Sequence, residues 1–386
     1  MKRVILYIIV MCIPLLSGCG DVNIYSAHSE PEELIVIKTI GIDYEDGAVT
    51  VTAAAGTTSD GKKPQIYTSS ASTLAEAING IQNGYLGDEA YFSHAEQVLV
   101  GEKAAENGIT EYLDYIGRNV YMRLSSSLYI VKGGTAKELM EKTTSADVAT
   151  SDMLESIGKN SEFMASGRVF DCREVMGALA ENGSALIYSV EKGEPLQVGG
   201  DDEMRAVSPA GYALFRDGYL TEYLDTGVTE GAGIIMEHTK SGMLTVDVLE
   251  HGTVSLKITD IKVKYEPIYK DSDLTDVILK IKMEMNLEES APHLNYINES
   301  FRKNVEAAAE QEILQTVSIA VEKSQETGVD FCGMGEKLLL MDPYKFREAH
   351  ENWQEIFTEI QIESKIEVRL ERTYDMENSL GFTGGD

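Results

Sequence analysis

The chain has 386 residues, of which 43% are hydrophobic and 25% are charged, and this composition is typical of a folded protein rather than a disordered one. Its length predicts two or three domains. Acidic residues outnumber basic residues by 64 to 33, which gives a formal net charge of -31. A surface with this charge repels polyanions, so nucleic acid is excluded as a partner.

The first 18 residues have the pattern of an export signal. Lys2 and Arg3 form a short positive region, residues 4–16 form an apolar run, and Ser17-Gly18 provide small side chains for a peptidase. The run is shorter than the roughly 20 residues that a membrane-spanning helix needs, and Pro14 interrupts it. We therefore predict a cleaved signal peptide over residues 1–18.

The tetrapeptide LSGC that ends at Cys19 matches the lipobox of bacterial lipoproteins. In lipoprotein maturation the thiol of the lipobox cysteine receives a diacylglyceryl group. The signal peptide is then cleaved, so that Cys19 would become the first residue of the mature protein. Two acyl chains anchor a protein stably, because each buried methylene contributes about 0.8 kcal/mol. The alternatives are a plain signal peptide or a short uncleaved anchor. Loss of Lys2 and Arg3 would change the net charge from -31 to -33, so the lipid would hold the protein at the membrane without help from its net charge.

The remaining cysteines and the histidines predict no metal site. Cys12 leaves with the signal, and Cys172 and Cys332 have neither a CxxC pattern nor a histidine cluster near them. We expect two unpaired, buried thiols, with a disulfide as the alternative in an exported protein. The histidines lack the i,i+3 or i,i+4 spacing of a helical zinc site; they are His28, His94, His238, His251, His293 and His350. His94 follows two aromatic residues in YFSHAEQ, and we predict a capping or packing role for it rather than a catalytic one.

Strands and helices alternate in the first half. Residues 19–33 are predicted to be the lipidated N-terminus and its tether. Two strand patterns then flank Asp46-Gly47, a strong hairpin signal, and Thr73 with Glu76 is spaced as a capping box for a helix from Leu74. A strand, a helix, a strand and a helix follow in QVLVGE, ITEYLDYIGRN, SSSLYIVKG and TAKELMEK. The pattern predicts a mixed α/β region over residues 34–200, ending in a segment rich in Gly, Pro and charge.

The second half, residues 201–374, is predicted to be an α+β domain, with a flexible tail over residues 375–386. A hairpin turns at Asp217-Gly218, and three later segments alternate apolar and polar residues as antiparallel strands with one wet face do. The alternation slips at Asp260, as a bulge would require. Between the last two strands we predict a helix over residues 298–327, stopped by Gly328, and a second over residues 343–357. The apolar stripe of the long helix is predicted as Phe301, Val305, Ala308, Ala309, Leu314, Val317, Ala320 and Val321.

No catalytic or cofactor motif is present in the sequence. GTTSDG and CGMGEK contain glycines but lack the GxxxxGK[ST] and GxGxxG patterns, and neither GxSxG nor SxxK occurs. The glycines of CGMGEK are predicted to turn the chain. We expect no enzyme activity, no cofactor, no metal and no catalytic residue.

Several segments, in this order, give the chain a resemblance to a known family. They are the lipobox, IVIKTIGIDYEDGAVTVT, STLAEAINGIQ, YFSHAEQVLVGEKAAENGITEYLDYIGRN, GYALFRDGYLTEYLD and VDFCGMGEKLLLMDPYKFREAHENWQEIFTEIQIESKIEVRLERT. Together they resemble the Ger(x)C family, the lipoprotein C subunit of nutrient germinant receptors in bacterial spores. The chain departs from that family where Gly20 follows the lipidated cysteine in place of tryptophan, and where Cys332 replaces an aromatic residue before Gly333.

The resemblance implies a lipoprotein on the outer face of the spore inner membrane that acts with A-type and B-type membrane subunits in nutrient-triggered germination. It also implies an α+β fold of three domains, with mixed or antiparallel sheets that are each packed with helices. Only Cys19 is carried over as a functional residue. Two other functions stay open: a solute-binding lipoprotein of a transporter, which needs a ligand cleft between domains, and an envelope hydrolase with an unfamiliar site.

Overall fold

The structure is a computed structural model that describes residues 34–55, 65–84, 89–145, 148–164, 167–193, 195–198, 201–204, 207–248, 252–270, 273–290 and 299–372. Its strands are β1 (Leu34–Glu45), β2 (Ala48–Ala55), β3 (Ile66–Ala71), β4 (Glu89–Tyr91), β5 (Gln97–Gly101), β6 (Ser127–Val131), β7 (Ser184–Lys192), β8 (Pro195–Val198), β9 (Asp201–Met204), β10 (Val207–Arg216), β11 (Tyr219–Leu224), β12 (Gly242–Val248), β13 (Gly252–Lys270), β14 (Asp273–Glu289) and β15 (Gln361–Arg372). Its α-helices are α1 (Leu74–Gly84), α2 (Glu102–Asn107), α3 (Thr110–Arg118), α4 (Ala136–Ser145), α5 (Thr150–Ser161), α6 (Cys172–Asn182), α7 (Thr226–Ile235), α8 (Glu299–Thr327), α9 (Met334–Met341), α10 (Pro343–Glu351) and α11 (Trp353–Glu359).

The first sheet is mixed and has the strand order β11-β10-β7-β6-β5-β1-β2-β3, with β4 paired to β1. Its centre is parallel, because helices α2 to α6 carry the chain from the end of one strand back to the start of the next. Strand β5 is buried along its whole length, as expected of a parallel strand covered on both faces. The predicted alternation of strands and helices in the first half is confirmed.

Both predicted hairpin turns have the backbone of a type I′ turn. The φ angles are +50° at Asp46 and +82° at Gly47, and +52° at Asp217 and +84° at Gly218. A type I′ turn requires positive φ at both central residues, which Asp and Gly tolerate better than most residues do. The dipeptides therefore set these two connections locally.

The first sheet continues past the segment where we placed a domain division. Strand β10 lies beyond residue 200 in the chain, yet it pairs antiparallel with β7, and β11 pairs with β10. Backbone hydrogen bonds of one sheet therefore join the two halves of the chain. The division at residue 200 stays a prediction, as does the count of three domains.

The second sheet has the order β12-β13-β14-β15. Strands β13 and β14 form a long antiparallel pair, and their register shifts between Ile258 and Asp260, where the sequence predicts a bulge. Strand β15 pairs parallel with β14, so the expectation of an antiparallel last strand is wrong. The reason is the connection: helices α8 to α11 carry the chain back to the end of the sheet where β14 begins.

Helix α8 covers the second sheet and ends where predicted, at Thr327 before Gly328, whose φ is +65°. Its buried residues are Phe301, Val305, Ala309, Ile313, Val317, Ala320, Val321 and Ser324. Leu314, which we placed in the apolar stripe, is 40% exposed, and Ile313 takes the buried position. From Phe301 to Val317 every fourth residue is buried, and this spacing places residue 313, not residue 314, on the buried face.

The second predicted helix begins at Pro343 but is interrupted. The Asp342 side chain accepts a hydrogen bond from the Lys345 backbone N–H at 3.1 Å and caps α10. Asn352 separates α10 from α11, and Trp353 is the first residue of α11. The α+β fold with mixed, helix-covered sheets is confirmed.

A close contact between helices α7 and α8 joins the two sheets. A methyl group built on Gly231 would overlap the carbonyl oxygen of Thr316 and lie 2.7 Å from Cβ of Ala320. An ion pair of 2.8 Å between Lys323 of α8 and Glu222 of β11 also joins α8 to the first sheet. The contact depends on the small residue at position 231.

We expect the substitution Gly231→Ala to lower the free energy of unfolding by about 1 to 3 kcal/mol, because the added methyl group must push the two helices apart. Urea unfolding monitored by circular dichroism measures this change. In the same helix a methyl group on Gly227 would meet only Asp225 Oδ1 at 3.5 Å. Gly227→Ala is therefore the matched control, which should be neutral or stabilising by up to about 1 kcal/mol. Equal effects of the two substitutions would contradict the packing argument.

Candidate interaction site

The predicted lipidation residue, Cys19, lies outside the described residues, and its role stays a prediction. Within the described part of the chain, no helix is long and apolar enough to cross a bilayer. The described residues also contain no group of three or more His, Cys, Asp or Glu side chains that could hold a metal ion. The site is therefore built from the contacts at which the two halves of the chain meet.

A single carboxylate organises the segment after α8. Asp330 accepts hydrogen bonds from the backbone N–H groups of Met334, at 3.0 Å, and Gly335, at 2.7 Å. It also accepts one from the indole Nε1–H of Trp353 at 2.9 Å. Burial raises the pKa of the Asp330 carboxyl above its ordinary value, and the three donors oppose that shift. One side chain thus caps α9 and fixes the start of α11.

Gly335 lets the indole approach this carboxylate. A Cβ atom on Gly335 would lie 2.6 Å from Cδ1 of Trp353. The indole also packs edge-on against Phe346, with ring centroids 5.2 Å apart, and at a tilt of 46° against Phe357, with centroids 5.5 Å apart. Of the glycines in CGMGEK, Gly333 does turn the chain, with φ +69°, but Gly335 lies inside α9 and serves close packing. That part of the sequence prediction needs correction.

The same segment lines a cleft of about 260 Å³ against the first sheet. Helix α6 and strand β7 form one wall, and the residues around Asp330 and His238 form the other. Asn182 at the end of α6 donates a hydrogen bond to Glu336 of α9 at 2.9 Å across the neighbouring cleft of about 320 Å³. The side chains that line the first cleft include Phe170, Glu174, Leu186, His238, Phe331, Cys332 and Lys337.

Neither described thiol is an activated nucleophile. Cys172 and Cys332 are free and buried, which confirms the expectation of unpaired, packed cysteines. Burial, with a smaller effect from the Asp171 charge, raises the pKa of the Cys172 thiol to about 12. Burial raises the pKa of Cys332 well above its ordinary value, and Asp330 adds to the shift. Both thiols therefore stay protonated at neutral pH, and of the two only Cys332 lines the cleft.

His238 sits in the connection between the two sheets. Its ring packs edge-on against Phe170, with centroids 5.6 Å apart, and among the described residues its buried Nδ1 has no hydrogen-bond partner. Burial lowers the pKa of His238 to about 4, and the charges of Arg168 and Lys337 add to this, while those of Glu162 and Glu174 oppose it. His238 is therefore neutral in the folded protein at neutral pH.

Ion pairs surround that histidine. Arg168 pairs with Glu174 at 2.6 Å and lies 3.7 Å from Glu162, and Lys240 also pairs with Glu162. Lys240 comes directly before the second sheet, whereas Glu162 follows α5 in the first half. These ion pairs hold the connection between α7 and β12 against the first half of the molecule.

His94, the histidine that the sequence singled out, lies elsewhere. It ends a short 3₁₀ turn, and its ring packs at a tilt against that of Tyr91, with centroids 5.4 Å apart. Its Nδ1 lies 3.3 Å from Nη2 of Arg123. Sequence reasoning did not identify Asp330 or His238 as organising residues. In the sequence, Asp330 is marked only by its separation from Gly335 and from the single tryptophan. That separation does not predict a contact until the positions of the helices in the fold are known.

Comparisons with known proteins agree with this architecture. Residues 27–192 match the family model described as the spore germination protein N-terminal domain, and residues 210–374 match the one described as spore germination B3/GerAC like, C-terminal. The crystal structure of the GerBC protein superimposes with a TM-score of 0.52 at 15% identity, covering 86% of this chain and 97% of that one. A Bacillus subtilis (strain 168) protein named "Putative spore germination protein YfkR" is 20% identical over 371 residues, covering 92% of each chain.

The fold and the two matched domains define a spore germination protein. The chain belongs to the Ger(x)C family, which confirms the resemblance seen in the sequence. This family is not a known class of enzymes.

We expect Asp330→Asn to lower the free energy of unfolding by about 2 kcal/mol, because the amide NH₂ would face N–H donors and leave buried polar groups unpaired. Urea unfolding followed by fluorescence of Trp353, the only tryptophan in the chain, reports the change directly. The exposed Glu355 of α11 provides the control, and Glu355→Gln should change stability by less than about 0.5 kcal/mol. An unchanged midpoint for Asp330→Asn would show that the carboxylate does not organise this segment.

We also expect the folded protein to lose stability as the pH falls from about 6.5 to about 4, in part through His238. The unfolded imidazole binds a proton near pH 6.5, whereas the folded one does so only near pH 4, so acid favours the unfolded state over that window. The measurement compares the free energy of unfolding at pH 7 and at pH 4.5 in the wild type and in His238→Gln. The wild type should lose about 2 kcal/mol more than the variant. Equal losses would contradict the assignment.

Proposed function

We propose that this protein is the lipid-anchored C subunit of a spore germinant receptor. In this proposal Cys19 carries a diacylglyceryl group, and the folded part lies on the outer face of the spore inner membrane. It acts there with A-type and B-type membrane subunits when nutrients trigger germination. The observation that carries the proposal is that both spore germination domains match in order along one chain, directly after a lipobox.

The geometry of the described residues favours an interaction protein over an enzyme. The junction between the halves consists of structural contacts: a carboxylate that caps helices, an indole packed on a glycine, and ion pairs around a neutral histidine. The thiol there, that of Cys332, is buried and protonated. A junction built in this way holds two sheets in one orientation and so presents fixed surfaces to partners.

Lipidation at Cys19 predicts a clear phenotype. Cys19→Ala should abolish incorporation of labelled palmitate and move the protein from the membrane fraction to the soluble fraction, because the thioether cannot form without the thiol. Cys12→Ala, in the apolar run of the signal, is the matched control and should leave both unchanged. Membrane fractionation and acyl labelling in the same cells give the two readouts. Full membrane association of the Cys19→Ala protein would contradict the proposal.

The partners are tested in dormant spores. Tagged wild-type protein, solubilised from the inner membrane in mild detergent, should recover A-type and B-type subunits, and Cys19→Ala should recover fewer. Deletion of the gene should reduce nutrient-triggered germination while leaving germination by direct chemical triggers intact. Recovery of a transporter permease instead would favour a solute-binding lipoprotein and overturn the receptor assignment.

A further inference from the structure

The described chain enters the fold at one particular edge of the first sheet. Strands β1, β5 and β6 are parallel, and Gln97 and Ser127, the first residues of β5 and β6, lie in register with Thr39 in the middle of β1. We call this side of the sheet the starting edge. Leu34, the first described residue, begins β1 there. The residues between Cys19 and the fold therefore arrive at the starting edge.

Two exposed apolar pairs lie at the same edge. Val120 and Tyr121 belong to the loop that leads into the start of β6, and Val120 is 86% exposed. Phe163 and Met164 follow the end of α5, and Met164 is 72% exposed. Large apolar side chains exposed together usually mark a contact surface.

Contacts of their neighbours place these two pairs together. Arg123, two residues after Tyr121, and Phe163 line the same open cleft of about 640 Å³. Glu96 and Ser127, at the starts of β5 and β6, line it too. Phe163 therefore lines this cleft at the starting edge, and the loop that carries Val120 and Tyr121 reaches it through Arg123.

The charges around this cleft differ from those of the whole chain. Its lining holds three carboxylates and three basic side chains, whereas the chain as a whole carries a formal charge of -31. Each carboxylate is paired with a lysine: Glu96 with Lys38, Glu155 with Lys159, and Glu162 with Lys240. Arg123 contacts His94 and forms no ion pair with any described carboxylate. This guanidinium can therefore form hydrogen bonds with a lipid phosphate, at a cleft whose charged lining residues balance one another.

We propose that the starting edge lies against the bilayer surface, with Val120, Tyr121, Phe163 and Met164 in the headgroup layer and Arg123 beside lipid phosphates. Aromatic and aliphatic side chains flanked by basic residues suit this layer, because it has acyl chains on one side and water on the other. Residues 20–33, at about 3.3–3.6 Å per extended residue, reach at most about 50 Å, so Leu34 at this edge lies within about 50 Å of the anchored cysteine. The proposal depends on the anchor at Cys19.

A second exposed apolar group serves as the internal control. Leu340, Met341 and Tyr344 lie at the corner between α9 and α10, on the second half of the molecule, and Tyr344 is 90% exposed. No chain leading to the anchor enters the fold at this corner. If exposure alone drove contact with lipid, this corner would insert at least as well as the starting edge.

The experiment uses the acylated full-length protein with an environment-sensitive fluorophore at one position. Tyr121→Cys, Phe163→Cys and Tyr344→Cys supply the labelling sites. Acylation blocks Cys19, and Cys172 and Cys332 are buried, so the new thiol reacts selectively. The labelled proteins are bound to vesicles of phosphatidylglycerol and phosphatidylethanolamine that contain no other protein, and dithionite in the water reduces any exposed fluorophore.

We expect the labels at positions 121 and 163 to emit at shorter wavelength and to be reduced several-fold more slowly with vesicles than without, and the label at 344 to show no difference. Each labelled protein is first shown to unfold at the wild-type temperature. Equal reduction rates at all three positions, in protein that floats with the vesicles, would overturn the edge contact and leave the lipid anchor intact. Protein that fails to float would overturn both. Protection that arises only after A-type and B-type subunits are added would show a protein interface there instead.

Discussion

The carboxylate of Asp330 is the interaction on which the second half of the molecule depends. Three N–H donors converge on it, two from the backbone of α9 and one from the indole of Trp353 in α11, and they orient α9 and α11 relative to the end of α8. These hydrogen bonds stabilise the fold only when all three donors are paired, because a buried donor without an acceptor costs about 1 to 3 kcal/mol of stability. The close approach of Gly335 and Trp353 is the steric counterpart of this polar constraint.

Rigidity at this point has a consequence for a receptor subunit. The segment that Asp330 organises also contacts α6, and helix α8 contacts both α7 and β11. The two sheets are thus joined by side-chain packing and by ion pairs as well as by the chain. A signal that reaches one half through a membrane partner would pass to the other as a movement of packed elements rather than through a loose linker.

Particular residues show how far the sequence could predict the fold. The two Asp-Gly turns, the end of α8 at Gly328 and the start of α10 at Pro343 were predicted correctly, because each depends on the backbone preferences of a few adjacent residues. Leu314 was placed on the wrong face of α8, since apolar character alone does not fix the phase of a long helix. The parallel pairing of β15 was missed because alternation of apolar residues is the same in both strand directions.

The sequence by itself determined the family of the protein and its local elements, since motifs, turn residues and periodicity act over a few positions. The tertiary structure alone decided which distant residues meet. Asp330 and Trp353, Gly231 and Thr316, and Arg123 and Phe163 at the starting edge are brought together by helix packing and strand order. Such contacts join residues far apart in the chain, and the free energy that selects them comes from burial and close packing of the whole fold.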